Sequence, residues 1–231
     1  GASGTGKEVL ARWIHARSPR ARQPFVAVQC AGLAEDLATE LFGAESEREQ
    51  GPEIVAGALE RAQGGTVLLK EIAELPVELQ IRILRVLEEL LLVRVGGRRS
   101  VAIDVRVLSA SHLDLVALVE SGAFRTDLYY RLAGFAVRLP ALSERRSDIP
   151  ILGGHFFQRE TARRSQRSAG ITRGALAALV AHSWPGNISE LETEITKAVL
   201  MLEDGEALDV AHLSRRLQAE GRGNPAEART L

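Results

Sequence analysis

Apolar residues in this chain fall first into short unbroken runs and later into helical spacing. Residues 25–28 (Phe-Val-Ala-Val) and 66–69 (Thr-Val-Leu-Leu) are too short for helices, and Gly64-Gly65 turns the chain into the second run. Such runs predict strands buried on both faces. A third strand is predicted over 102–110, where Ile103, Val105 and Val107 alternate with Asp104 and Arg106. A fourth is predicted over 135–139, stopped by Pro140. Leu79, Ile83, Leu84, Leu87 and Leu91 lie on one helical face and predict a helix over 79–92. Val9, Leu10, Trp13 and Ile14 predict another from Lys7 onward. Strands alternating with helices predict an α/β fold whose parallel sheet carries helices on both faces and binds ligands at the strands' carboxyl ends.

Beyond Pro140 the pattern is helical only. Asp148 is placed to cap a helix with Pro150 in its first turn. Thr172 is placed to cap a second, carrying Leu176, Leu179 and Val180. Trp184-Pro185-Gly186-Asn187 breaks the chain, and helices are expected over 188–203 and 209–220. The expected organisation is an α/β subdomain over 1–145, a small all-helical subdomain over 146–220 and a linker over 221–231.

Composition narrows the function classes. The chain has 231 residues, 45% of them hydrophobic, with a net charge of −1, which argues against a broad nucleic-acid surface. The arginine clusters at 17–22 and 159–167 read as solvated helix ends. Cys30 is the single cysteine, so no internal disulfide and no thiolate metal cage can form. No apolar run is long enough to span a bilayer, and no secretion signal is visible. A cytoplasmic location without membrane partners is expected. Apart from Lys7, Lys70 and Lys197, every long cationic side chain is arginine.

The candidate chemistry starts at the first residue. Gly1-Ala2-Ser3-Gly4-Thr5-Gly6-Lys7-Glu8 has the G-x-x-x-x-G-K spacing of a phosphate-binding loop. Glycines let the backbone wrap a polyphosphate, N–H groups point inward, and Lys7 neutralises the outer phosphates. The helix starting at Lys7 adds its dipole. Position 8, where such loops carry Ser or Thr for Mg²⁺, is Glu8. The plainer alternative is a Gly/Ser-rich turn before a helix; the placement of Lys7 and the apolar helix after it favour the loop. The strand that leads into such a loop is not in the sequence, so the chain is expected to be a piece of a longer protein.

A family resemblance rests on many segments in order: GASGTGKE, FVAVQCAGL from Phe25, ELFGAE from Glu40, GGTVLLKEIAELP from Gly64, LQIRILRVLEE from Leu79, RVGG from Arg94, DVRVLSAS from Asp104, FRTDLYYRL from Phe124, RLPALSERRSDIP from Arg138 and WPGNISELE from Trp184. The chain resembles the central AAA+ ATPase domain of sigma-54-dependent transcription activators over nearly its whole length. The resemblance implies a P-loop AAA+ fold, a three-layer parallel-sheet subdomain followed by a helical lid. It also implies ATP or ADP as ligand and self-association into a hexameric ring with nucleotide between subunits. The cofactor-binding positions it implies are Gly1, Ala2, Ser3, Gly4, Thr5, Gly6, Lys7 and Glu8, with Ile188 in the lid motif.

The departures fall on the chemistry. Where the family ends a strand in Asp-Glu, the Asp ordering Mg²⁺ and the Glu polarising water, this chain has Lys70-Glu71. Reversing one unit charge at ~4 Å is worth roughly 4 kcal/mol at a surface-like dielectric, so no metal ligand set is assigned and Lys70 argues against Mg²⁺. Glu71 keeps the catalytic-base position. An Asn becomes Gln29, a sensor Asn becomes His112, and the lid's sensor Arg becomes Ser189. Arg125 and Arg131 hold the positions of the family's catalytic arginine fingers, with surface salt bridging as the plainer role.

The family's Gly-Ala-Phe-Thr-Gly-Ala loop, which engages sigma-54, is replaced at 44–58 by AESEREQGPEIVAGA, with Glu45, Glu47 and Glu49. The simplest reading is a solvated acidic loop, the other a new docking surface. The expected function is an oligomerising regulator that binds ATP or ADP, hydrolyses it poorly and lacks the standard sigma-54 contact. The alternative is an active ATPase that remodels the sigma-54 RNA polymerase holoenzyme. In the family a helix-turn-helix follows the lid, so DNA contact is expected only through a domain outside this chain.

Overall fold

The structure is a computed structural model and describes residues 1–48 and 51–221. It divides into two compact units, one comprising Gly1 and Lys7–Arg138, the other Ala2–Gly6 and the chain from Leu139 on.

The first unit runs α1 (Lys7–Ala16), β1 (Phe25–Gln29), α2 (Ala34–Phe42), β2 (Ala44–Arg48), β3 (Gly51–Val55), α3 (Ala58–Arg61), β4 (Thr66–Lys70), α4 (Val77–Glu89), β5 (Leu91–Val93), β6 (Ser100–Ala102), β7 (Arg106–Ala110), α5 (Leu115–Glu120) and α6 (Thr126–Leu132). Its main sheet has the order β1-β4-β7, all parallel. The central strand β4 is buried from Thr66 to Leu69, which is why its sequence is continuously apolar rather than alternating. Val67 and Leu69 join the core with Val28, Leu41, Phe42, Leu59 and Ile83. On the opposite side Thr66 Oγ1 meets His15 Nδ1 of α1 at 2.9 Å, so helices cover both faces. Gly65 precedes β4 because a Cβ there would run into the Pro24 carbonyl.

In this unit four expectations change. The third strand is Arg106–Ala110 alone; Ala102 belongs to β6, which pairs antiparallel with β5. The helix expected over 79–92 ends at Glu89, because Leu90 turns left-handed (φ 56°) and sends Leu91 into β5. No strand forms over 135–139: the segment pairs with no described strand, and Phe135 is 89% exposed. Alternation alone cannot make a strand without a neighbour to share the ladder. Within the stretch expected as a loop over 44–58, β2 pairs antiparallel with β3, with Glu45 opposite Ile54 and Ser46 opposite Glu53. Glu49 lies outside the described residues.

The second unit carries α7 (Ile149–Arg163), α8 (Arg173–Ala181), α9 (Asn187–Leu200) and α10 (Arg215–Gly221). Phe156, Phe157, Leu179, Trp184, Leu191, Ile195, Val199 and Leu217 form its core. Thr172 caps α8 as expected: its Oγ1 accepts from the Ala175 N–H (3.2 Å) and donates to Asp209 Oδ1 (2.6 Å). Asp148 precedes α7, but its side chain makes no capping bond. The helix expected over 209–220 is instead a 3-10 turn, Val210–His212, followed by α10. Residues 222–231, expected as linker, lie outside the described residues.

Candidate functional site

The glycine-rich loop is shaped within the second unit. Gly4 and Gly6 are left-handed (φ 73° and 92°), and a Cβ on Gly4 would strike the Gly186 carbonyl. Three successive carbonyls are pinned. Ser3 O accepts from Asn187 Nδ2 (2.8 Å), Gly4 O from the Ile188 N–H (2.9 Å) and Thr5 O from Arg145 Nη2 (2.9 Å). Thr5 Oγ1 donates to Ala2 O at 2.8 Å. Carbonyl oxygens repel an anion, so tying them to donors is what a phosphate-binding loop requires. Ile188 therefore touches the loop through its backbone. Asn187 is buried and also accepts the Leu142 N–H through Oδ1 at 2.8 Å. Neither Asn187 nor Arg145 was expected to contribute. The available signal for Asn187 was an amide in a Trp-Pro-Gly-Asn break, where only a backbone turn was anticipated. Ser189, at the sensor-arginine position, lines an open cleft of about 670 Å³ with Ser3, Gly4, Thr193, Lys197 and Arg216.

The charged groups gather in the first unit, at the carboxyl ends of β4 and β7 and the start of α1. Lys7 Nζ donates to Gly1 O (3.0 Å) and stands 3.5 Å from Glu71 Oε1. Glu71 Oε2 accepts from the His112 N–H (2.9 Å) and meets His112 Nδ1 at 2.6 Å. A carboxylate only accepts, so Nδ1 carries the proton. Burial pushes the Glu71 carboxyl upward, but the His112 ring, its N–H and Lys7 outweigh burial and hold it below the ordinary range. Glu71 is left-handed, φ 51°. Gln29 lies beside Lys70 in the β1–β4 register, yet no hydrogen bond among the described residues joins it to Glu71.

Lys70 and Glu8 meet. Lys70 Nζ donates to Glu8 Oε2 at 3.1 Å, and Glu8 Oε1 accepts from Arg12 Nε (3.1 Å) and Nη2 (2.8 Å). Arg12 first and Lys70 second hold the Glu8 carboxyl below its usual range. Mg²⁺ demands oxygen ligands in near-octahedral array. Here an ammonium stands at the end of β4, bonded to the carboxylate that opens α1, and that arrangement does not fit a dication. Glu71, Glu74 and His112 bring one ligand atom each within 4.8 Å of one another, but both Glu71 oxygens are already engaged.

Arg125 and Arg131 are not part of this cluster. Arg125 Nη2 pairs with Asp127 Oδ2 (2.6 Å), and its N–H donates to Gln80 Oε1 (2.9 Å). Arg131 Nη2 donates to Leu87 O at 2.8 Å. Gln80 is buried and also donates to Leu75 O (2.8 Å) and Ala123 O (3.2 Å), so it fixes the backbone from which Arg125 projects. A glutamine beside Leu79 on a buried helical face was the signal for it. The acid Glu45 is not a solvated loop charge. Arg94 holds it (3.2 Å) together with Glu60 (2.6 Å).

A parallel α/β unit with this cluster at its strand ends, a glycine-rich loop and a helical unit define a P-loop protein of the AAA+ class. Residues 1–138 match the Sigma-54 interaction domain family and residues 143–230 the AAA+ ATPase lid domain. The chain belongs to the sigma-54 interaction domain family, that of sigma-54-dependent transcriptional regulators. Among curated relatives, it is 42% identical to the transcriptional regulatory protein XylR of Pseudomonas putida over 96% of this chain and 41% of XylR. It is 45% identical to ZraR of Escherichia coli over 87% of this chain and 46% of ZraR. The chain thus spans less than half the length of these relatives. Crystal structures of NtrX from Brucella abortus superpose with TM-scores of 0.84 for the ATP complex and 0.82 for the ADP complex. Both share 36% identity with this chain; they cover 100% and 95% of it, and 51% and 49% of NtrX. No helix among the described residues is long and apolar enough to cross a membrane.

Proposed function

We propose that this chain is the core of a regulator that binds ATP or ADP, turns it over slowly or not at all, and acts by oligomerising. The observation that carries this reading is Lys70 bonded to Glu8 at 3.1 Å, where the resemblance requires the carboxylate that orders Mg²⁺. The pinned loop Ala2–Gly6 with Ile188 carries the phosphate-binding reading, Lys7 and Glu8 follow it in the motif, and the NtrX complexes with ATP and ADP support that ligand. Glu71 occupies the base position, but its carboxylate is committed to Lys7 and His112. Ser189 supplies no charge to a phosphate. Arg125, just before α6, and Arg131, in its last turn, are kept for a neighbouring copy in a ring. Strands β2 and β3 carry no Phe-Thr pair. Because interface energy concentrates in a few such anchors, the sigma-54 contact is lost. The protein works in the cytoplasm and reaches DNA only through segments outside this chain.

The test is phosphate release by the intact protein with ATP and Mg²⁺, beside capture of sigma-54 with a transition-state nucleotide analogue and opening of a sigma-54 promoter. Turnover is expected well below the usual enzyme range of roughly 1 to 1000 s⁻¹, with neither capture nor opening. Lys70→Asp alone leaves turnover slow, because Ser189 remains. The retained Arg125 and Arg131 favour the second reading, an active remodelling ATPase. Turnover of about one per second or more, with capture and opening, would establish it instead.

A further inference from the structure

We infer that the Lys70 ammonium, held by Glu8 at the end of β4, is a built-in cation that takes the place of a divalent metal on the phosphates of a bound nucleotide. The inference rests on the nucleotide-binding reading and adds the chemical form of the ligand: the metal-free polyphosphate anion.

The geometry makes Lys70 a fixed charge rather than a mere gap in a metal site. Its side chain is about one-third exposed and spends one of its three N–H donors on Glu8 Oε2. Among the described residues the other two have no hydrogen-bond partner and are left for a ligand. Glu8 is itself clamped on its other oxygen by Arg12, so the carboxylate that orients Lys70 has little freedom. The strand end is fixed too, since Lys70 O accepts the Cys30 N–H at 2.8 Å. Lys7 is committed differently, to Gly1 O and Glu71. Two lysines thus stand at the same end of the sheet in a chain whose cations are otherwise nearly all arginine. An ammonium is a compact point charge, whereas a guanidinium is a wide planar fork. Only the former has the size to stand where an ion would.

Charge balance points the same way. Lys7, Lys70 and Arg12 against Glu8 and Glu71 leave one positive charge before any ligand arrives. A dication beside Lys70 meets repulsion from the ammonium. A polyphosphate without metal meets two ammonium groups, each able to pair with a phosphate oxygen.

The experiment is calorimetric titration of the intact protein with ADP and with a non-hydrolysable ATP analogue, each in EDTA and in Mg²⁺. The variants are Lys70→Gln and Lys70→Asp, with circular dichroism as the folding control. Wild-type affinity is expected to agree within about threefold between the two buffers. Lys70→Gln is expected to lose about tenfold or more in EDTA, the scale of one charge-assisted hydrogen bond. Lys70→Asp is expected to bind only when Mg²⁺ is present. Wild-type binding that requires Mg²⁺ overturns the inference and leaves the nucleotide reading intact. Metal-free binding unchanged in Lys70→Gln also overturns it, because the cation is then another group. No binding under any condition overturns both.

Discussion

Glu71 concentrates the electrostatics of the strand ends in one side chain. Its two oxygens answer three donors, and its backbone is left-handed, a conformation that costs a non-glycine residue of order 1 kcal/mol or more. Because its folded-state carboxyl is held below the usual glutamate value of about 4.3, ionised Glu71 stabilises the fold. That contribution is complete above the unfolded value and is lost as pH falls through the folded one. Wild type is therefore expected to be more stable than Glu71→Gln at neutral pH, by about 1 kcal/mol or less given partial exposure. The gap should close on acidification below about pH 4. Thermal melts of both proteins between neutral and acid pH check this; a gap that widens on acidification contradicts the assigned pairing.

At the scale of elements, Gln80 ties three together: α4, on which it stands, the turn before it through Leu75, and the approach to α6 through Ala123 and Arg125. Removing it takes the side-chain partner from the buried Leu75 carbonyl and from the part-buried Ala123 carbonyl and Arg125 N–H. Gln80→Ala is expected to cost about 2–4 kcal/mol in urea unfolding, and Gln80→Leu nearly as much, since filling the space leaves the polar groups unpaired. A loss below about 0.5 kcal/mol would show that water replaces the amide. The strands around 25–28 and 66–69 could be read from sequence because burial on both faces forces unbroken apolar runs. The run over 135–139 has the composition of a strand, but a strand exists only through its neighbour. Helix ends escape the apolar pattern where one residue adopts a conformation its type does not announce, as at Leu90. Strands β2 and β3 were hidden because β2 is the polar run Glu45-Ser46-Glu47-Arg48, with no apolar alternation to announce it. Lys7 and Glu71 could be named as candidates because a motif fixes each. The Lys70–Glu8 and Asn187–Ser3 bonds join residues 62 and 184 positions apart, a distance across which no local pattern speaks.

For the whole molecule, the two cores share no residue, and each has a built-in reporter. Cys30 lies in the first, its thiol pushed by burial up to about 12 and so inert while folded. Trp184 lies in the second, its Nε1 donating to Leu179 O at 2.7 Å. With Trp13→Phe as background, Gln80→Ala is expected to shift the urea midpoint for Cys30 labelling and leave the Trp184 fluorescence midpoint in place. A common shift would mean that the two cores unfold as one. One row of the sheet reaches further than stability. Gln29, Lys70 and Ala110 stand in register on the last rung, just beyond the buried Val28 and Leu69. Side chains on that rung lie outside the buried core, so changing them leaves the packing of the strands in place. A few substitutions there change the chemistry while the family match still runs over residues 1–138 and 143–230. Membership of the family therefore does not by itself fix what the last rung does.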